Sequence, residues 1–339
     1  MERPAMIPVV VVTGFLGSGK TTLIGRVLRD PAFARTAVIV NEFGEIGLDH
    51  DLIAISDETL MALTTGCLCC AVRSDLVQTL LDLQARRQAG NIPPYDRVLI
   101  ETSGLADPAP ILQALITDRG VAAGHRVQSV ITLVDAVHGA ASLERHSEAR
   151  RQVALADRLV LTKTDMAAPT DDFLARLGAL NPGVEILTAI SGHIAPEILF
   201  ATADPGARAG RLTDLPASGA SPFQRGEHND AVESFVLERD EPVPGLALVL
   251  LLEALAEHCG SKLLRVKGLV RLAEIPEQPA LIHGVQHIFA APEFLPDWPS
   301  ADHRTRIVFI TQGVPRHFPA RLLAAIEAEA MEETEAQQI

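Results

Sequence analysis

The first apolar block of the chain, Ile7-Pro8-Val9-Val10-Val11-Val12-Thr13, shows no polar alternation. A strand with one face in water alternates with a period of two, so an unbroken β-branched run predicts a strand buried on both faces of a parallel sheet. Similar runs recur at 36–40, 97–100, 127–134 and 158–161, and a further strand is read near 184–187. Between them lie stretches of helical period, such as Leu76, Leu80, Leu81 and Leu83. Strand and helix alternating in this way predict a doubly wound, mainly parallel α/β sheet with its ligand at the carboxyl ends of the strands.

Around 202–230 the pattern stops. That stretch is rich in Ala, Gly, Pro, Ser and Asp without an apolar period, and reads as a linker. Beyond it come a strand at 231–237, a leucine-rich helix at 245–258, short strands between 263 and 310, and a last helix from about Pro319. The expected organisation is a domain over 1–202, a linker over 203–230, a smaller α+β domain over 231–330 and a polar tail over 331–339.

The turn after the first strand holds chemistry. Gly14-Phe15-Leu16-Gly17-Ser18-Gly19-Lys20-Thr21 fits the phosphate-loop pattern G-x-x-x-x-G-K-[ST], with a buried strand before it and a helix after it. Its glycines let successive N–H groups curl around phosphate oxygens at the positive end of a helix dipole. Lys20 is expected on the β- and γ-phosphates, the Thr21 hydroxyl on Mg²⁺, and Thr22 on the α-phosphate.

A second strand end bears Thr162-Lys163-Thr164-Asp165, the [NT]-K-x-D pattern that reads guanine. A carboxylate at Asp165 only accepts hydrogen bonds, so it suits the two donors on guanine N1 and N2, whereas adenine offers it a lone pair. GTP is therefore expected over ATP, with the stem of Lys163 along the base. Glu101-Thr102-Ser103-Gly104 follows the 97–100 strand in the manner of a [DE]-x-x-G switch: Glu101 holds the Mg²⁺ shell through water and the Gly104 amide senses the γ-phosphate. Lys20, Glu101 and Gly104 are thus the expected catalytic residues, and 188–192 a closing loop on the base.

Composition adds a limit and a lead. Net charge is −14 over 339 residues, which repels nucleic acid, and no apolar run reaches the roughly 18 residues that would span a bilayer. Met1-Glu2-Arg3-Pro4 does not read as a secretory leader, so a soluble cytoplasmic protein is expected. Three of the four cysteines, Cys67, Cys69 and Cys70, fall within four residues, a spacing that suits metal ligation better than disulfides. Thiolates favour Zn²⁺ and Cu⁺, and three leave a fourth position open to a carboxylate, an imidazole, water or a partner's ligand. Glu42, Glu45 and His50 are the candidates near in sequence, and the cysteine loop is expected to curl before a helix starting near Val72. Cys259 reads as structural, and His283 and His287 as ordinary histidines of one strand.

The phosphate loop, Asn41-Glu42-Phe43-Gly44-Glu45-Ile46-Gly47, Gly66-Cys67-Leu68-Cys69-Cys70, Glu101-Thr102-Ser103-Gly104-Leu105-Ala106-Asp107-Pro108 and Thr162-Lys163-Thr164-Asp165 together resemble the CobW family of metallochaperone GTPases. The likeness extends over nearly the whole chain, with Leu264-Arg265-Val266-Lys267-Gly268 and Arg306-Ile307-Val308-Phe309-Ile310 in the family's C-terminal domain. It implies a SIMIBI-type fold, slow GTP hydrolysis, and delivery of zinc or cobalt to a client protein from Cys67, Cys69 and Cys70. Many relatives carry Asn where Thr162 stands, and some carry a histidine-rich stretch where this chain has only His228. Self-association stays open. Two other activities fit a phosphate loop: a small-molecule kinase, for which no acceptor base is marked, and a passive metal-binding module.

Overall fold

The computed structural model describes residues 6–41, 60–62, 69–190, 193–195, 197–198, 201, 204–215 and 232–336. Its contacts divide the chain into two compact units, Met1–Phe173 with Val184–Thr202, and Leu174–Gly183 with Ala203–Ile339.

In the first unit the strands are β1 (Ile7–Gly14), β2 (Thr36–Asn41), β3 (Leu60–Ala62), β4 (Arg97–Thr102), β5 (His125–Asp135), β6 (Arg158–Thr162) and β7 (Glu185–Thr188). They form one seven-stranded sheet in the order β3-β2-β4-β1-β5-β6-β7, and every neighbouring pair is parallel. Helices α1 (Lys20–Val27), α2 (Cys69–Gln88), α3 (Ala109–Thr117), α4 (Arg119–Gly124), α5 (Gly139–Arg145) and α6 (Ser147–Leu155) connect its strands, while α7 (Asp171–Leu180), between β6 and β7 in the chain, belongs from Leu174 onward to the second unit. The unbroken apolar runs are explained by burial on both faces: Val9, Val10, Val11 and Val12 of β1 are wholly buried, each worth about 1.5–3 kcal/mol. Val10 and Val12 pack with Leu23 and Ile24 of α1, Leu99 of β4 and Ile131 of β5, which fixes the helix start after the phosphate loop against the centre of the sheet. Since β1 lies between β4 and β5, its carboxyl end opens where the chain order reverses, the place such sheets bind ligands.

The second unit is a smaller antiparallel α+β domain. Strands β8 (Val232–Arg239), β9 (Leu263–Val270), β10 (Ala280–Val285), β11 (Ile288–Phe289) and β13 (Thr305–Gln312) run in the order β11-β10-β9-β13-β8, with β12 (Glu293–Phe294) also on β10. Helix α9 (Gly245–Cys259) buries Ala247, Leu248, Leu251 and Leu255 in a core shared with Val266, Ile282, Ile307 and Phe309. Phe235 and Phe309 stack across β8 and β13 at 5.4 Å, and α10 (Phe318–Ala336) closes the chain.

Reading 203–230 as a linker throughout is corrected at its start. Helix α8 (Pro205–Thr213) stands there, with Ala209 and Leu212 buried. Two glycines and a single leucine hid its period. Its start signal was present, since Asp204 accepts the Ala207 amide at 2.9 Å and Pro205 opens the first turn. Arg306, 4% exposed, secures the helix end by donating from Nη1 to the carbonyls of Leu212 (3.4 Å), Thr213 (2.5 Å) and Leu215 (2.7 Å).

Candidate functional site

At the carboxyl end of β1 an open cleft of roughly 340 Å³ is lined by Gly17, Gly19, Lys20, Thr21 and Thr22 on one side and by Glu101 and Gly104 on the other. Lys20 lies back across its own loop, donating from Nζ to the carbonyl of Gly14 at 2.8 Å and towards that of Phe15 at 3.4 Å. The loop sits low on the sheet because residue 14 lacks a side chain: a Cβ there would come within 2.5 Å of the Leu133 carbonyl oxygen. Phe15 stacks on His146, ahead of α6, at 4.5 Å and anchors the loop laterally. Ser18 points inward and is 2% exposed, so it offers the cleft its backbone only.

The Thr21 hydroxyl donates to Glu101 Oε1 at 3.0 Å. Glu101 pairs in register with Val12 on β1 and is 5% exposed, which puts a carboxylate and a hydroxyl together at the point where a nucleotide's phosphates would end. Two hard oxygens at that spacing suit Mg²⁺, which keeps several waters and takes one or two protein ligands. The donor set fits the ion.

The guanine-reading loop is tied to the phosphate loop. The Thr162 hydroxyl, 4% exposed, donates to the Ser18 carbonyl at 2.8 Å. The residue at this position therefore works as a strut between the two loops. Lys163 takes a positive φ of 57° and places Nζ 2.7 Å from Asp135 Oδ2, while Asp135 Oδ1 accepts the amides of Val137 at 2.7 Å and His138 at 3.2 Å. Burial pushes the Asp135 carboxyl up, but the Lys163 ammonium and the two amides outweigh it and leave it below its ordinary value. Asp165 is exposed at the tip of the turn, where the amides of Met166 and Ala167 bond the Lys163 carbonyl at 3.0 and 3.2 Å. Thr164 Oγ1 lies 3.5 Å from the Ala189 carbonyl, at the base of the expected closing loop.

On the switch side, the turn from Ser103 to Ala106 is closed by the Ala106 amide on the Ser103 carbonyl at 3.0 Å. Ahead of α3, Asp107 accepts the Ala109 amide at 2.9 Å and pairs with Arg151 of α6 at 2.8 Å. Gln152 of α6 donates to the carbonyls of Gly104 and Ala106. Asp135, Arg151 and Gln152 were not singled out from the sequence. Asp135 was within reach of the logic that found Glu101, since it ends an apolar strand. The two α6 residues carry no local signal.

Of the proposed thiolate ligands, Cys69 and Cys70 are the first two residues of α2. The helix thus begins three residues before the expected Val72, and the curl required of the cysteine segment is in part the first helical turn. Cys67, Glu42, Glu45, His50, Ser191, Gly192 and His228 lie outside the described residues. The strands that lead to Glu42 and Cys67 end beside the switch: Asn41 pairs with Thr102, and Ala62 pairs with Val40. Among the described residues there is no group of three or more His, Cys, Asp or Glu placed to hold a metal. Burial pushes the Cys259 thiol up, as a structural cysteine requires. His283 and His287 do not share one strand face, because β10 ends at Val285 and the chain turns through Gln286 at φ 53°.

Residues 8–188 match the CobW/HypB/UreG nucleotide-binding domain, and residues 232–327 match the cobalamin synthesis protein cobW C-terminal domain. The chain is 35% identical to the zinc chaperone YjiA of Escherichia coli, over 91% of this chain and 95% of that protein. It is 34% identical to the zinc chaperone CobW of Pseudomonas aeruginosa, over 92% of this chain and 89% of that protein. The crystal structure of Zn(II)-bound YjiA GTPase from E. coli superposes with a TM-score of 0.71 at 28% identity, covering 95% of this chain and 99% of that one. No helix among the described residues is long and apolar enough to cross a membrane. The chain belongs to the CobW/HypB/UreG family and joins that family's nucleotide-binding domain to a CobW C-terminal domain.

Proposed function

We propose that this chain is a GTP-hydrolysing zinc chaperone, which takes up zinc on Cys67, Cys69 and Cys70 and passes it to a client protein under control of the bound nucleotide. The observation that carries the reading is the partly buried hydrogen bond between Thr21 and Glu101. It joins the helix that holds the phosphates to the strand that ends in the switch, so a change at the phosphates is felt at Gly104. The family relatives named zinc chaperones, matched over more than nine-tenths of the chain, support zinc as the cargo.

In this reading the loop amides and Lys20 hold the β- and γ-phosphates. Thr21 and Glu101 would hold Mg²⁺, which when bound neutralises charge on the bridging phosphate oxygens. Asp165 accepts from guanine N1 and N2, Lys163 lies along the base under the restraint of Asp135, and Thr162 keeps the two loops in register. The Gly104 amide bonds the γ-phosphate and loses that partner on hydrolysis. Residues 42 and 63–68 continue from the strand ends beside this turn, so its relaxation can alter the thiolate site, with Glu42 a candidate fourth ligand. Three near-neighbour thiols stay reduced and metal-competent in the cytoplasm, where we place the protein.

The test has two arms. Incubating the chain with Mg²⁺ and either GTP or ATP should release free phosphate from GTP only; a phosphorylated small molecule in place of free phosphate would instead favour a kinase. Metal analysis of the purified chain should find zinc in the wild type and little in the variant with Cys67, Cys69 and Cys70 replaced by serine. Equal zinc in both would remove the cysteines from the account.

A further inference from the structure

Gly104 is where the switch meets the nucleotide, and glycine is the residue whose backbone holds its own direction least well. Its surroundings supply the missing restraint on both sides. The Ser103 carbonyl accepts the Ala106 amide at 3.0 Å and the Thr102 hydroxyl at 3.3 Å. Because a trans peptide is planar, fixing that carbonyl sends the Gly104 N–H the opposite way. The next peptide plane is held by Gln152, whose Nε2 donates to the Gly104 carbonyl at 3.1 Å and to the Ala106 carbonyl at 3.0 Å. Two carbonyls facing one end of the side-chain amide fix that end as the NH₂ group, since the opposite orientation would set three acceptors together. Gln152 is itself buried and tied to the sheet. It is 1% exposed, and its main-chain carbonyl accepts the Thr132 hydroxyl of β5 at 2.8 Å.

We infer that Gln152 is a positioning residue for recognition of the γ-phosphate: by bridging the Gly104 and Ala106 carbonyls it keeps the Gly104 N–H aimed into the cleft, so the chain distinguishes GTP from GDP. The inference deepens the GTPase reading and rests on it. Gln152 touches no nucleotide and acts only through the turn it holds. Losing it should therefore weaken the nucleotide that bears a γ-phosphate and spare the one that does not.

The experiment uses the full chain with Gln152→Met, which keeps length and volume without a donor, and Gln152→Glu, which keeps shape but turns an acceptor towards the two carbonyls. Affinities for GDP and for a non-hydrolysable GTP analogue are measured with kcat and KM, and melting curves establish that each variant is folded. The GDP affinity should stay within about twofold of wild type, while the analogue weakens about tenfold, equivalent to about 1.4 kcal/mol. kcat should fall by about tenfold or more, in keeping with loss of a transition-state contact. The Glu variant should recover part of its preference for the analogue between pH 8 and pH 6, because a protonated carboxyl donates one hydrogen bond and the facing carbonyls raise its pKa. The Met variant should show no such recovery. Equal weakening of both nucleotides, or no weakening of either, in a folded variant overturns the inference. A wild-type chain that fails to hydrolyse GTP would instead overturn the underlying function.

Discussion

Replacing Gly104 by alanine probes the contact between switch and phosphate loop. A Cβ at this position would lie 2.7 Å from Leu16 Cδ2 and 2.9 Å from both Leu16 N and Leu16 Cα. The first clash is cheap, because the Leu16 side chain is 58% exposed and can swing outward. The other two are with the backbone of the phosphate loop, and restoring ordinary contact at 3.4 Å requires loop and turn to part by about 0.5 Å. Overpacking of this kind costs about 1–3 kcal/mol in stability. Catalysis should suffer more, since a displacement approaching 1 Å at reacting groups costs up to about a hundredfold in rate. Steady-state phosphate release and thermal melting of Gly104→Ala should show kcat down about ten- to hundredfold with a melting point only a few degrees lower. GDP should weaken too, in contrast to the Gln152 variants, because the loop that moves cradles both nucleotides. Wild-type turnover with an unchanged melting point would show that turn and loop part at no cost, contrary to this expectation.

In the C-terminal unit, Arg306→Met should cost about 3–5 kcal/mol, because it orphans the carbonyls of Leu212, Thr213 and Leu215 and removes one of the two arginines on the Asp302 carboxylate; chemical denaturation reads this, and a loss under about 1 kcal/mol would contradict it. The Arg304 guanidinium, with Arg306 beside it, holds the Asp302 carboxyl at about 2 against an ordinary 3.8. A depressed carboxyl stabilises the fold fully above its unfolded pKa and ceases to do so as pH falls through the folded one. About 1 kcal/mol, discounted for partial exposure, should therefore disappear between about pH 4 and pH 2, and Asp302→Asn should flatten that part of the stability curve.

Features whose causes are contiguous in the sequence were legible. The phosphate loop follows its strand directly, and the unbroken apolar runs at β1, β2, β4, β5 and β6 report burial on both faces. Where the cause lies far along the chain, the sequence is silent. Asp135 acquires its role from Lys163, 28 residues later, and Gln152 acquires its role from carbonyls 48 and 46 residues earlier. Neither spacing corresponds to a strand or helix period. Helix α8 escaped because two glycines interrupt its short apolar face, Ala209 and Leu212, and because its end is secured by Arg306, more than 90 residues on. The helix start at Cys69 escaped for another reason: a run of cysteines chosen for chemistry carries little helix propensity to announce it.

In the proposed mechanism nucleotide and metal share one moving turn. The direct test is the zinc affinity of the full chain measured by competition with a chelator, once with Mg²⁺ and a non-hydrolysable GTP analogue and once with Mg²⁺ and GDP. An affinity ratio of about tenfold or more between the two states, absent when Cys67, Cys69 and Cys70 are serine, is the predicted result. Identical zinc affinities in the two nucleotide states would contradict it.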